Sequence, residues 1–153
     1  MPIVRVTDHT SAPPQQVLAA ARDFSPRRAE LWPDVHVQHL TIHDIGDSHV
    51  DATEGNPWPL LGVVWERLHY DWSQPGAVAG TVVDSNLFRP GSTWELRVRA
   101  AEDRTLVEII AVRHLRGRGR LLAPFFPLGL AKRTVAAHLR HFLSKVEEQA
   151  PAE

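Results

Sequence analysis

Apolar and polar residues alternate along most of the chain before residue 115, and this two-residue period is typical of β-strands. Short stretches rich in Gly, Asp, Ser and Pro separate the alternating runs, as in antiparallel hairpins that follow one another along a sheet. The pattern predicts seven strands, at residues 2–8, 35–45, 49–54, 63–72, 77–84, 93–100 and 104–115.

Two short helices are predicted between the first two strands. The prolines in SAPPQQ (11–16) suit the first turn of a helix, where the missing N–H of proline costs nothing, so one helix runs from there to residue 23. A second helix over residues 26–31 ends before Trp32 and Pro33, because a residue that precedes proline avoids the helical conformation.

The C-terminal segment 121–148 is predicted to form one long helix, because its apolar residues recur at intervals of three and four. Polar residues such as Arg133 and Arg140 fall on the opposite side. The apolar stripe comprises Leu128, Ala131, Val135, Leu139, Phe142 and Val146.

An amphipathic helix that follows seven strands must bury its apolar face, and a curved antiparallel sheet wrapped around the helix provides the surface for this. The predicted fold class is therefore α+β. One domain is expected over residues 1–149, with a short tail at 150–153. What lies between the helix and the sheet should determine the function.

The strand alternation also predicts which side chains face the helix. In the last two strands the inward sets are Trp94, Leu96, Val98 and Ala100, and Thr105, Val107, Ile109 and Ala111, with Arg113 at the end of the second row. The strand at 63–72 is ambiguous. One register carries Glu66 inward together with Val64, Leu68, Tyr70 and Trp72, and the other places Trp65, Arg67 and His69 inside.

Composition excludes several classes of protein. The 153 residues contain no cysteine, so disulfide scaffolds, thiolate metal sites and thiol catalysis are excluded. No signal peptide or membrane span is expected, which favours a soluble, cytoplasmic protein. The formal net charge of −1 argues against a nucleic-acid partner. Neither a Walker loop nor a dinucleotide glycine fingerprint is present, and no cofactor is expected.

Histidines do not form a convincing metal site in the sequence. On a strand, His36 points away from His39 and His43, and the latter two lie too far apart to share an ion. On the helix, His138 and His141 could meet but lack a third ligand at a telling spacing. No metal is therefore predicted.

Glu66 and His138 are the candidates for proton transfer, although the catalytic residues are otherwise unknown. An inward Glu66 would be desolvated, with a raised pKa suited to chemistry on a bound carbonyl compound. The alternative is that a bulge leaves Glu66 at the surface. Arg113 could pair with Glu66, bind an acidic head group, or lie in water at the end of its strand. His138, at the edge of the apolar stripe, could touch a ligand or simply mark the boundary of the core.

Residues 116–128 combine arginines with Leu, Phe and Pro. Such a segment could gate a cavity or contact an anionic membrane transiently while a lipid is transferred. The alternative is a loop that packs its phenylalanines over the open end of the sheet.

The sequence resembles the START-like (SRPBCC) superfamily, in its polyketide cyclase/dehydrase-type branch. The resemblance rests on SAPPQQV (11–17), WERLHYDW (65–72), DSNLFRPGSTWE (84–95), and Arg113 with the RLL at 120–122. It implies the helix-grip fold, in which an apolar cavity lies between the sheet and the last helix.

The first functional hypothesis is binding or carriage of a hydrophobic small molecule, such as a lipid, polyketide or isoprenoid. The second is a polyketide cyclase or dehydratase that uses Glu66 or His138. The third is a protein-interaction module, and the oligomeric state is left open. Ligand contacts are predicted for Trp65, Leu68, Tyr70, Trp94, Leu96, Val107, Arg113, Val135, His138 and Phe142.

Overall fold

A computed structural model describes residues 3–125 and 128–149 of the chain. The elements are β1 (Ile3–Thr10), α1 (Pro14–Ala21), α2 (Arg28–Leu31), a 3-10 turn (Val37–His39), β2 (Thr41–Ile45), β3 (His49–Trp58), β4 (Gly62–Asp71), β5 (Ala77–Ser85), β6 (Thr93–Ala101), β7 (Arg104–Val112), a 3-10 segment (Gly117–Phe125) and α3 (Leu128–Glu148).

The seven strands form one antiparallel sheet in the order β1-β7-β6-β5-β4-β3-β2. Strands β2 to β7 follow the chain as a meander, and β1 pairs with β7 along its full length. The helix α3 packs against the same sheet, with α1 and α2 beside it. The predicted α+β helix-grip fold is confirmed, including the two short helices after the first strand.

The core lies between the sheet and the C-terminal half of α3. Leu139, Phe142, Leu143 and Val146 are buried there, and the ring of Phe142 stacks on Trp32 with centroids 4.3 Å apart. The sheet contributes the inward residues that alternation predicts in β6 and β7, among them Leu96, Val98, Val107 and Ile109. Burial of these side chains is the main source of stability.

Two predicted elements begin six or more residues later than the sequence pattern indicates. The last helix begins at Leu128 rather than at residue 121, and Gly117–Phe125 is a 3-10 segment that contains Pro124. Proline lacks the N–H that an α-helix needs and disfavours the α conformation in the residue before it. The second strand begins at Thr41 rather than at residue 35, because the N–H of His39 donates to the carbonyl of His36 in a turn.

No helix in the described ranges is both long enough and apolar enough to cross a membrane.

Candidate ligand-binding cavity

A cavity of about 420 Å³ lies between the sheet and the N-terminal half of α3. Aromatic side chains form much of its wall, and they are Trp32, Trp58, Tyr70, Phe88 and Trp94. Aliphatic residues from β7 and α3 complete the wall. Polar groups are concentrated at a few positions, so the space is mainly apolar with local hydrogen-bonding groups.

The cavity exists because side-chain size changes along α3. In its C-terminal half, the buried positions carry Leu139, Phe142 and other large residues that fill the space to the sheet. In its N-terminal half, the residues that line the cavity include Ala131 and Val135, which are smaller than Leu139 and Phe142 and leave space beside the sheet. The change in size along the apolar stripe is a signal that the sequence contains.

Of the two registers that the sequence allows for β4, the structure has the one in which Glu66 points inward. Glu66 and Tyr70 line the cavity, whereas Arg67 is exposed. A bulge is present, but it lies in β5, where Val83 is the extra residue between the pairs Arg67↔Asp84 and Leu68↔Val82. The alternation of β4 is therefore intact, and the bulge does not expose Glu66.

Glu66 and Arg113 form an ion pair in the cavity wall. The Arg113 guanidinium donates to both carboxylate oxygens, with Nη1 2.5 Å from Oε2 and Nη2 3.1 Å from Oε1. The side chains are 16% and 26% exposed, and the guanidinium lies 4.9 Å from the centre of the Phe88 ring. Burial raises the pKa of the Glu66 carboxyl, and the positive charge of Arg113 opposes this rise.

A second ion pair lies deeper. The Nε of Arg28 is 2.8 Å from Oε1 of Glu54, and the Tyr70 hydroxyl donates to the same oxygen at 2.9 Å. The guanidinium of Arg28 also lies 4.0 Å from the centre of the Phe24 ring. Burial raises the pKa of the Tyr70 hydroxyl well above its usual range, and the charge of Glu54 adds to this effect.

Sequence reasoning missed Glu54 and Arg28. The signal for Glu54 is the alternation of β3, in which Val50, Ala52 and Glu54 form one buried row. Glu54 is paired in register with Glu66, so two carboxyl groups lie side by side on the inner face of the sheet. Arg28 belongs to a helix of four residues, which is too short for a periodicity that would indicate burial.

His138 borders the cavity near Asp34, with Nδ1 4.0 Å from the carboxylate oxygen. His138 is 26% exposed and Asp34 is 50% exposed, so the pair lies near solvent. Within residues 3–125 and 128–149, no three His, Asp or Glu side chains are grouped so that they could hold a metal ion.

The ten residues predicted to contact a ligand occupy three locations. Five of them line the cavity, and they are Tyr70, Trp94, Arg113, Val135 and His138. Trp65 borders an adjoining recess of about 270 Å³. The others fill the core beneath the cavity instead of lining it, because large neighbours on the sheet and α3 enclose them, and they are Leu68, Leu96, Val107 and Phe142. Ligand contact by any of the ten remains a prediction.

The cavity extends to the end of the sheet at which β3, β5 and β7 end and α3 begins. The loop after β5 and the segment after β7 are joined by a bridge between Phe88 and Leu115, and the N–H of Arg116 donates to the carbonyl of Leu87 at 2.9 Å. In the 116–128 segment, Leu121 is 74% exposed. The predicted packing of Phe125 and Phe126 over the sheet lies outside what the structure describes.

Similarity to known proteins is found in structure and not in sequence. No model of a known protein family matches the chain, and no curated protein matches it. Solved structures that cover nearly the whole chain include the following three. A protein from Thermus thermophilus has a TM-score of 0.79 at 16% identity, covering 97% of this chain and 99% of that one.

The Zhui aromatase/cyclase from Streptomyces sp. R1128 also has a TM-score of 0.79, at 15% identity, with 98% of this chain and 96% of that chain covered. A START superfamily protein from Mycobacterium smegmatis has a TM-score of 0.66 at 11% identity, with 96% and 95% covered. At sequence identities of 16%, 15% and 11%, these comparisons show that the fold is shared. The chain therefore has the START-like helix-grip fold that its sequence resembles, in the form also adopted by an aromatase/cyclase.

Proposed function

We propose that this protein binds a hydrophobic small molecule, such as a lipid, polyketide or isoprenoid, in the cavity between the sheet and α3. The observation that supports the proposal is the aromatic-walled cavity of about 420 Å³. Ligand pockets usually measure about 300–1,000 Å³ and combine apolar walls with a few polar groups. Protein interiors otherwise contain few voids larger than a water molecule. A space of this size is therefore expected to hold a bound ligand.

A pair of tryptophan substitutions on α3 tests this proposal. Ala131 lines the cavity, whereas Ala137 is exposed and does not. Ala131→Trp should fill the space and lower the affinity for an uncharged fluorescent dye such as Nile red by about tenfold or more. Ala137→Trp should leave the affinity unchanged. Fluorescence titration measures both variants, and native mass spectrometry of the wild-type protein should detect a retained small molecule.

The proposal would be overturned if ligand-free wild-type protein bound neither the dye nor any member of a panel of lipids and polycyclic compounds. Equal affinities of the Ala131→Trp and Ala137→Trp variants would show that the dye binds elsewhere.

A second candidate function is polyketide cyclisation or dehydration, which the buried Glu66 carboxyl favours. Burial raises the pKa of this carboxyl, as suits a group that exchanges protons with a bound carbonyl compound. The cavity would hold a poly-carbonyl chain in a folded conformation, and Glu66 or His138 would move the proton. If Glu66 has this role, Glu66→Gln abolishes turnover of a poly-carbonyl substrate and retains binding. Unchanged turnover excludes Glu66 from the mechanism.

We also propose that the cavity is loaded at an anionic membrane surface through the 116–128 segment. The β3–β4 turn lies at the same end of the sheet as this segment and exposes Leu60 and Leu61. On the other side, Leu121 and Leu130 are exposed, and the nearby cations include Arg120. Apolar side chains with adjacent cations are what an interfacial contact requires.

A further inference from the structure

We propose that the cavity selects uncharged ligands over carboxylates and other anions, and that Glu66 determines this specificity. The inference rests on the proposed binding function and narrows the class of ligand. Its basis is the charge balance of the cavity wall and the pairing of its cations.

The wall has no surplus of positive charge among the described residues. Its cations are Arg28 and Arg113, and its carboxyl groups are Asp34, Glu54 and Glu66. With His138 uncharged, three acidic groups therefore face two basic ones. Protonation of His138 or of Glu66 brings the balance to zero, and only protonation of both gives a net positive wall.

Both guanidinium groups already have anionic partners. Arg28 is bound to Glu54, which also accepts the Tyr70 hydroxyl. Arg113 donates two N–H groups to the two oxygens of Glu66. An anionic head group could become the counter-ion of Arg113 in place of Glu66 only by displacing Glu66.

Displacement would leave the Glu66 carboxylate partly buried without its cation and next to Glu54, its register partner on β3. Uncompensated buried charge is strongly unfavourable. A ligand anion that left the pair intact would instead lie near three acidic groups. Binding of an anion in this cavity is therefore unfavourable whether or not the ion pair is broken.

An uncharged ligand avoids this cost. Arginine has five N–H donors, and Glu66 accepts from two of those on Arg113. A ketone, ester or hydroxyl oxygen could therefore accept a hydrogen bond from the guanidinium while the ion pair remains. The Trp94 and Phe88 rings in the same wall favour a ligand that contains aromatic rings.

Three naphthalene compounds of similar size test the inference at neutral pH. They are methyl 2-naphthoate, which is uncharged, 2-naphthoate, which is an anion, and 2-naphthylmethylamine, which is a cation. Affinities are measured by displacement of Nile red. The wild-type protein should bind the anion weakest of the three, with an affinity for the ester that is higher than that for the anion by about tenfold or more. This order requires no variant and so does not depend on the folding of a mutant.

Glu66→Gln should then increase the affinity for 2-naphthoate about tenfold, because it frees the charge of Arg113, while the affinity for the ester stays nearly constant. Glu108→Gln is the matched control. Glu108 contacts Arg5 on the outer face of the sheet, so loss of its charge should not change the ratio.

The inference is overturned if the wild-type protein binds the anion as tightly as the ester, or if Glu66→Gln leaves their ratio unchanged. Binding of the anion in preference to the ester would contradict the inference and retain the proposed function. If the wild-type protein bound none of the three compounds and no dye, the proposed function itself would fail.

Discussion

Glu54 and Glu66 occupy equivalent positions on neighbouring strands, but their surroundings differ. The pair Arg28–Glu54 has exposed fractions of only 3% and 9%, whereas the pair Glu66–Arg113 has 16% and 26%. A deeply buried ion pair gains little net stability, because desolvation offsets the attraction, yet the loss of one partner is costly. The deeper pair is therefore suited to a structural role, and the shallower one to contact with a ligand.

We expect Glu54→Leu to lower the free energy of unfolding by about 3–5 kcal/mol, because Arg28 would be buried without its anion. The double variant Arg28→Met/Glu54→Leu should be clearly more stable than the single variant, since it buries no unpaired charge. Urea unfolding measures both.

Glu108→Gln serves as the control, since the Arg5 side chain of that pair is 58% exposed and exposed pairs contribute about 1 kcal/mol or less. A Glu54→Leu variant as stable as the double variant would contradict the prediction.

At the scale of single residues, prediction from the sequence succeeds where a strand alternates regularly. Alternation in β7 puts Arg113 at the end of the inward row, and the structure places it in the cavity wall. The facing of Glu66 stays ambiguous in the sequence, because both faces of β4 carry aromatic residues. The contact of Arg28 with Glu54 joins residues 26 positions apart. It depends on how α2 docks on the sheet, which no local pattern encodes.

At the scale of elements, β5 contains a glycine, Gly80, at which a larger residue would clash with a neighbouring side chain. A Cβ atom at Gly80 would lie 2.9 and 3.0 Å from two carbon atoms of the Tyr70 ring. The ring cannot easily move away, because its hydroxyl is bonded to Glu54 and the Phe24 ring packs against it with centroids 4.9 Å apart. Close approach of two strands at an aromatic side chain thus requires glycine here.

Gly80→Ala should destabilise the protein by about 1–3 kcal/mol through overpacking. Gly129→Ala is the control on α3, where a Cβ atom would meet nothing within 4 Å. Alanine has the higher helix propensity, so this control should be neutral or stabilising by up to about 1 kcal/mol. Thermal and urea unfolding compare the two. Equal stability of Gly80→Ala and the wild-type protein would show that Tyr70 has room to shift.

The elements themselves can be predicted well from the sequence, but the volume of the cavity cannot. The apolar stripe of α3 and the alternation of the strands each follow from local periodicity. Periodicity misplaces the start of α3, because the apolar period continues into a segment where Pro124 prevents an α-helix. The volume between α3 and the sheet depends on sheet curvature and on side chains far apart in the sequence, which periodicity does not report.

On the scale of the whole molecule, the meander brings the exposed apolar residues of the β3–β4 turn to the same end of the sheet as the segment after β7. Leu60 at this turn is fully exposed and has a φ of 69°, a conformation that leucine seldom adopts. Ile45, which is 66% exposed, lies at the opposite end beside the β2–β3 turn. The two residues are thus a matched pair for testing which end contacts a membrane.

We expect the Leu60→Ser variant to lose most of its binding to vesicles of phosphatidylcholine and phosphatidylglycerol. Inserting one leucine side chain contributes about 1.5–3 kcal/mol, so the bound fraction in a sedimentation assay should fall several-fold. Ile45→Ser should bind like the wild-type protein, and salt should weaken binding in both. Similar losses in the two variants, or no binding by the wild-type protein, would refute loading at this end.

The two halves of α3 serve different purposes. From Leu139 onward the helix completes the hydrophobic core, whereas Ala131 and Val135 in the earlier turns are only partly buried at the edge of that core and also line the cavity. Substitutions in those early turns should therefore reshape the binding space at a lower cost in folding free energy than substitutions from Leu139 onward. A family of such proteins could diversify its ligands by varying two turns of one helix, while the rest of the scaffold stays fixed.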